Sequence, residues 1–138
     1  MGENNLSGKL WPHILLGLTL LGTLLLAGCG EKIKAGQVKI DTASLAKLQE
    51  GVNEGHQPWR TDPLEVARAD GADYGFDINL DTFTLTDPST SASTAIVLAQ
   101  HKGKNYLIKL VQPFPYGLDG KTKTGSIWTI KEVVVEKR

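Results

Sequence analysis

From Ile14 to Ala27 the chain reads ILLGLTLLGTLLLA, fourteen residues without a charge, and no other stretch constrains the molecule as strongly. A membrane-spanning helix needs about 20 predominantly apolar residues, so this run is short for a span and suits the apolar region of a signal peptide. Small residues Ala27 and Gly28 precede Cys29, the only cysteine, and the chain turns polar with Glu31 and Lys32. The charge ahead of the run is sparse, Lys9 and His13 being partly offset by Glu3. A lone cysteine also rules out an intramolecular disulfide, so whatever follows must be held by its own core.

Leu26-Ala27-Gly28-Cys29 resembles the lipobox of bacterial lipoproteins: leucine, a small or apolar residue, glycine or alanine, then the cysteine. The resemblance implies cleavage before Cys29, a diacylglyceryl group on its sulfur, and a protein anchored by lipid to the cell membrane and facing outside the cytoplasm. Two or more acyl chains make a stable anchor where one holds only marginally, at about 0.8 kcal/mol per buried methylene. The expected organisation is a signal peptide over residues 1–28, a polar tether over 29–38 and a single domain over 39–138.

Loss of the first 28 of 138 residues leaves 110, with 14 basic and 14 acidic groups. A neutral chain lacks the basic footprint that neutralises a phosphate backbone, which argues against nucleic acid as the partner. A domain of this size buries roughly two thirds of its unfolded surface and can fold alone.

Asp41 or Thr42 is placed to cap a helix whose Leu45, Leu48 and Val52 form one apolar stripe, with Lys47, Gln49 and Glu50 turned outward and Gly55 as the stop. A second helix starts at Asp62-Pro63-Leu64-Glu65, with Asp62 as N-cap, Pro63 in the first turn and Glu65 completing a capping box, and it ends near Gly71 or Gly75. The period then changes to two over residues 82–86, 93–101, 105–112 and 127–135, which predicts strands, and Lys102-Gly103-Lys104 predicts a hairpin. Pro113 stops the third strand. The expected fold is α+β, two N-terminal helices packed on an antiparallel sheet of about four strands.

Two loops concentrate binding chemistry. In Gly55-His56-Gln57-Pro58-Trp59-Arg60, Trp59 is a candidate to stack on a sugar or peptide, and His56 and Arg60 to contact an anionic group. The competing structural reading makes Trp59 a plug between helices and sheet and pairs Arg60 with an acid or a helix-end carbonyl. In the long connection from Pro113 to Gly125, Phe114 and Tyr116 stand between prolines and glycine as a rigid apolar lip for a partner, or fold back over the sheet end. Asp77-Ile78-Asn79-Leu80-Asp81 has the first oxygen donors of a calcium loop, but Thr82 replaces its glycine and Pro88 its closing glutamate, so a turn built on Asx side chains explains it better. No histidine pair has metal-ligand spacing, Ser89, Ser91 and Ser93 lack a nucleophile elbow, and no phosphate loop appears, so no catalytic residue, metal or cofactor is assigned.

The pattern Gly-His-Gln-Pro-Trp-Arg-x-Asp-Pro, with the later Ile127-Trp128, is similar to a group of small secreted proteins of Gram-positive bacteria without an assigned activity. That similarity implies only that the Trp59 and Trp128 regions belong to one domain. The expected role is binding, of an envelope protein or a cell-wall glycan or peptide. The alternatives are a cell-wall hydrolase or transferase accessory domain whose acids converge in space, and an assembly role through a sheet edge.

Overall fold

A computed structural model describes residues 32–86, 93–120 and 125–137; the run 14–27, Leu26 to Cys29, Pro88, Ser89 and Ser91 lie outside the described residues. In chain order the elements are β1 (Gly36–Gln37), α1 (Thr42–Asn53), a 3-10 helix (Pro58–Thr61), α2 (Pro63–Asp70), a second 3-10 helix (Gly71–Tyr74), β2 (Thr82–Leu85), β3 (Thr94–His101), β4 (Lys104–Val111) and β5 (Thr129–Val135). The strands form one antiparallel sheet in the order β1-β5-β4-β3-β2. The class is α+β, with five strands among the described residues where about four were expected.

The helix ends follow the local chemistry. Asp41 caps α1, its carboxylate accepting from the amides of Ala43 and Ser44 and from the Ser44 hydroxyl at 2.7 Å. Those bonds, the Ser44 hydroxyl first, hold the Asp41 carboxyl below the usual carboxylate range. At the other end His56 N bonds Gly51 O and Gly55 N bonds Val52 O, with Gly55 at φ 89°, which is a complete Schellman stop. Asp62 caps α2 through the amides of Leu64 and Glu65. The reciprocal half of the expected capping box is not made: the Asp62 amide already donates to Trp59 O, and the Glu65 carboxylate pairs with Arg68.

α2 lies against the inner face of the sheet and buries Val66 and Ala67 there. The facing layer is Ala95, Val97 and Ala99 of β3, Tyr106, Ile108 and Leu110 of β4, and Ile130 and Val133 of β5. In the first two strands these residues alternate, as period two requires. In β5 they stand three apart, a spacing one face of a regular strand does not allow. The register moves from Lys109↔Glu132 to Leu110↔Ile130, so Lys131 is an extra, bulged residue that returns Val133 to the core side. On the outer face Lys109 Nζ donates to Glu132 Oε2 at 2.7 Å, and chiefly this bond lowers the Glu132 pKa.

The tether expected over residues 29–38 needs correction in its described part. Ile33 is buried in the core, Lys34 N donates to Tyr74 O, and Gly36 and Gln37 pair with Val133 and Glu132 as the edge strand β1. Val38 N then donates to the carbonyl of the bulged Lys131. Gly75 makes this docking possible: its φ is 95°, and a Cβ there would stand 3.3 Å from Lys32 O.

Gln49 also departs from its expected position. Leu45, Leu48 and Val52 are half-buried, whereas Gln49, read as outward-facing, is 1% exposed. Its Nε2 donates to Gly125 O at 2.7 Å and to Asn53 Oδ1 at 3.0 Å, and its Oε1 accepts Ile127 N at 2.9 Å. The side-chain amide therefore bonds the 125–127 backbone as a neighbouring strand would. Gln49→Leu keeps the volume and strands both backbone groups, so denaturant unfolding should show a loss of about 2–4 kcal/mol. Lys47→Ala, on the exposed side of the same helix, should stay within about 0.5 kcal/mol of wild type.

Candidate functional site

The two candidate loops lie at the same end of the sheet. Thr129 opposes Val111, so β5 begins where β4 ends. β5 starts at Thr129 rather than at Ile127 because the preceding amides bond elsewhere, Ile127 N to Gln49 and Trp128 N to Arg60 O at 2.9 Å. The Trp128 ring is 2% exposed and donates its Nε1 hydrogen to Thr61 O at 3.1 Å. The indole thus fixes the Pro58–Thr61 turn to the sheet. Trp128, more than Trp59, is the buried plug; sequence reasoning noted it only through a resemblance, although an indole flanked by Ile127 and Ile130 is itself a signal of burial.

Trp59 is half-buried at the margin of the core, with the Arg60 guanidinium 4.5 Å from its ring centroid. Gln57, in the left-handed region at φ 47°, lets the chain turn from the Schellman stop into the 3-10 helix. Arg60 was a candidate for an anionic ligand, and each of its three nitrogens already donates a hydrogen bond within the fold. Nη1 and Nη2 donate to Asp70 Oδ2 and Oδ1 at 2.9 and 3.1 Å, and Nε donates to Gln57 Oε1 at 3.0 Å. This bidentate pair, 16% and 27% exposed at its side chains, ties the loop to the end of α2. Burial raises the pKa of neighbouring Tyr74, and the Asp70 and Asp73 carboxylates add to the effect, so its phenol stays neutral.

His56 is open, its side chain 74% exposed and its Nε2 4.0 Å from Glu54 Oε2. Phe114 is half-buried and Tyr116 is 51% exposed, beside Leu118 at 41%. The turn that carries them closes with Gly117 N on Phe114 O at 3.0 Å. Of the five residues, His56 and Tyr116 therefore offer the most surface, Trp59 and Phe114 offer an edge, and Arg60 holds the loop in place. The Ser126 hydroxyl is buried without a hydrogen-bond partner among the described residues.

A second polar cluster lies at the opposite end of the sheet. His101 Nδ1 and Asp81 Oδ2 are 2.7 Å apart, with the Asp81 side chain only 4% exposed, and the same oxygen accepts Asp77 N at 2.7 Å. The His101 ring meets the edge-on ring of Phe76, which also packs on Phe83 and Tyr106. Asp77 Oδ1 accepts the amides of Asn79 and Leu80, so the calcium-like letters form the Asx turn expected of them. An aspartate orienting a histidine makes two of the three members of a catalytic triad, yet among the described residues no side chain hydrogen-bonds His101 Nε2. The pair latches the 77–81 turn to the end of β3. No group of three or more His, Cys, Asp or Glu suited to a metal occurs among the described residues.

Compared with protein-family models, with curated proteins and with solved structures, the chain matches none.

Arg60→Ala should cost about 1–3 kcal/mol in unfolding experiments, since it leaves Asp70 without its partner and uncovers Trp59. Unchanged stability would free Arg60 for a ligand role. Asp81→Ala removes the acceptor of both Asp77 N and His101, and a loss of about 2–4 kcal/mol is expected, seen as a lower thermal midpoint.

Proposed function

We propose that this protein is a lipid-anchored binding component of the bacterial cell envelope, facing outside the cytoplasm and acting without turnover. The Gly55–Arg60 turn and the Phe114–Tyr116 loop meet an envelope protein or a cell-wall glycan or peptide. Leu26-Ala27-Gly28-Cys29 supports the anchor, with Cys29 as the acylated residue. The observation that carries the reading is the polarity of the domain. Lys32 to Gly36, the residues next to the proposed anchor, lie at the end of the sheet where β3 and β5 finish, since Gly36 pairs with Val133 and Tyr106 with Val135. The two aromatic loops lie at the other end, where β4 finishes and β5 begins. Eight-residue strands separate the ends by about 25 Å. A lipid on Cys29 would therefore hold the domain with its loops directed away from the membrane.

Loops presented on a rigid sheet suit recognition. Tyr116 supplies an amphipathic ring with a polar tip, Phe114 an apolar edge and His56 an exposed imidazole, a combination matched to the mixed apolar and hydroxyl-bearing faces of sugars and short peptides.

Intact mass and membrane fractionation of the native protein against Cys29→Ala test the anchor. The wild type is expected in the membrane fraction, lacking residues 1–28 and carrying acyl mass, and the variant without lipid. Sedimentation with purified peptidoglycan tests the loops. Phe114→Ala together with Tyr116→Ala should weaken retention about tenfold or more with folding intact. Equal retention of wild type and variant removes the loops from the proposal, and release of soluble glycan fragments replaces binding by hydrolysis.

A further inference from the structure

At the anchor end, the turn from Asp77 to Asp81 holds two aliphatic side chains in solvent: Leu80 is 82% exposed and Ile78 45%. Leu80 is the most exposed large apolar residue among the described residues. The turn that presents it is built to stay put. Asp77 Oδ1 takes the amides of Asn79 and Leu80 at 2.8 and 3.3 Å, Asp77 O takes the Asp81 amide at 2.8 Å, and Asp81 is bonded to the buried His101. Two bare aliphatic groups on so constrained a turn are not a relaxed surface loop. Held in this way, they would lose little conformational freedom in a contact that removed them from water.

The path of the chain identifies that contact. Lys32 O lies 3.3 Å from the Cβ position of Gly75, and Gly75 stands three residues before Ile78. Only three peptide steps separate Lys32 from Cys29, a reach of about 10 Å even when fully extended. We propose that Ile78 and Leu80 insert as far as the boundary between headgroups and acyl chains in the bilayer that holds the Cys29 lipid, and so fix the orientation of the domain on the membrane; this rests on the lipid-anchor reading above.

The charges around the turn fit insertion better than attraction to an anionic surface. Lys102 and Lys104 flank the β3–β4 hairpin at this end, and their long stems are suited to lie along the interface with their ammonium groups in water. With Lys32, Lys34 and Lys137 also at this end, five lysines stand with Asp73, Asp77, Asp81 and Glu136, which nearly balance them, and Asp77 and Asp81 are already occupied by amides and His101. The apolar burial of two side chains is thus the main attraction, added to a lipid anchor that supplies the affinity. Its effect is orientation, which should not depend on anionic lipid or on salt.

The test uses the mature lipoprotein reconstituted in phosphatidylcholine vesicles. In Leu80→Cys the new thiol is the only free one, because Cys29 is in thioether linkage, and it takes an environment-sensitive fluorophore; Glu54→Cys, at the loop end and 74% exposed, is the control. The label at position 80 is expected to be blue-shifted and several-fold brighter than the control, to be quenched by lipids brominated on their acyl chains, and to keep this signal in high salt. A vesicle-bound protein with both labels in water overturns the proposal and leaves the anchor standing. A shielded label at position 80 that brominated lipids do not quench assigns the turn to a protein contact, and also overturns it. Protein that fails to stay with vesicles, with an unmodified Cys29 thiol, removes the anchor reading and this inference with it.

Discussion

The backbone between Gly125 and Trp128 enters the sheet without a neighbouring strand to bond it, and the rest of the molecule is arranged around satisfying it. Buried peptide groups left without partners cost about 1–3 kcal/mol each, so such a segment persists only when something else supplies its hydrogen bonds. Gln49 reaches from α1 to take Ile127 N and Gly125 O, and the 3-10 helix presents Arg60 O to Trp128 N. The Trp128 indole returns a bond to Thr61 O from the interior. α1 and the 3-10 helix that follows it are thereby joined, at one end of the sheet, to a segment 67 to 78 positions further along the chain. The Arg60–Asp70 pair extends the same joint to α2.

A comparable arrangement closes the other end. The 77–81 turn is held to β3 by Asp81 and His101, Phe76 packs its ring among His101, Phe83 and Tyr106, and the N-terminal segment lays Ile33 under Gly75 before pairing with β5. Each end thus has a buried polar fastening surrounded by aromatic packing. Their outer surfaces differ. One presents aromatic and imidazole groups on loops, and the other presents bare aliphatic groups on a constrained turn beside the incoming chain. Such a difference between ends is what a domain oriented between a membrane and a wall-side ligand requires, and it gives the proposed binding and insertion roles separate places on one small sheet.

Much of the local structure was legible because its causes are local. Asp41 and Asp62 as caps, Gly55 and Gly75 as stops, the Lys102-Gly103 turn with both residues at positive φ, and the four longer strands all depend on residues within a few positions of one another. Candidate binding residues were legible as types, but not as roles. Arg60 looks equally suited to an anion or to an acid in its own fold, and only the proximity of Asp70 across the turn decides between them. Trp59 and Trp128 read alike as aromatic residues, and their burial separates plug from margin.

By itself, then, the sequence determined the elements, their ends and the α+β class, together with the apolar run and the Leu-Ala-Gly-Cys motif that suggest an anchor. Tertiary structure alone decided that Gln49 is buried, that Gly36 and Gln37 are a fifth strand, that Lys131 bulges so that Ile130 and Val133 share a face, and that the two aromatic loops lie at the end opposite the incoming chain. The physical reason is the range of the interactions. Gln49 and Ile127 are 78 positions apart and Gln37 and Glu132 are 95 apart, and a glutamine or glycine carries no periodic signal of a partner so far along the chain. Backbone groups without a local partner are satisfied by whichever distant group the fold brings within reach, and that becomes visible only when the chain is folded.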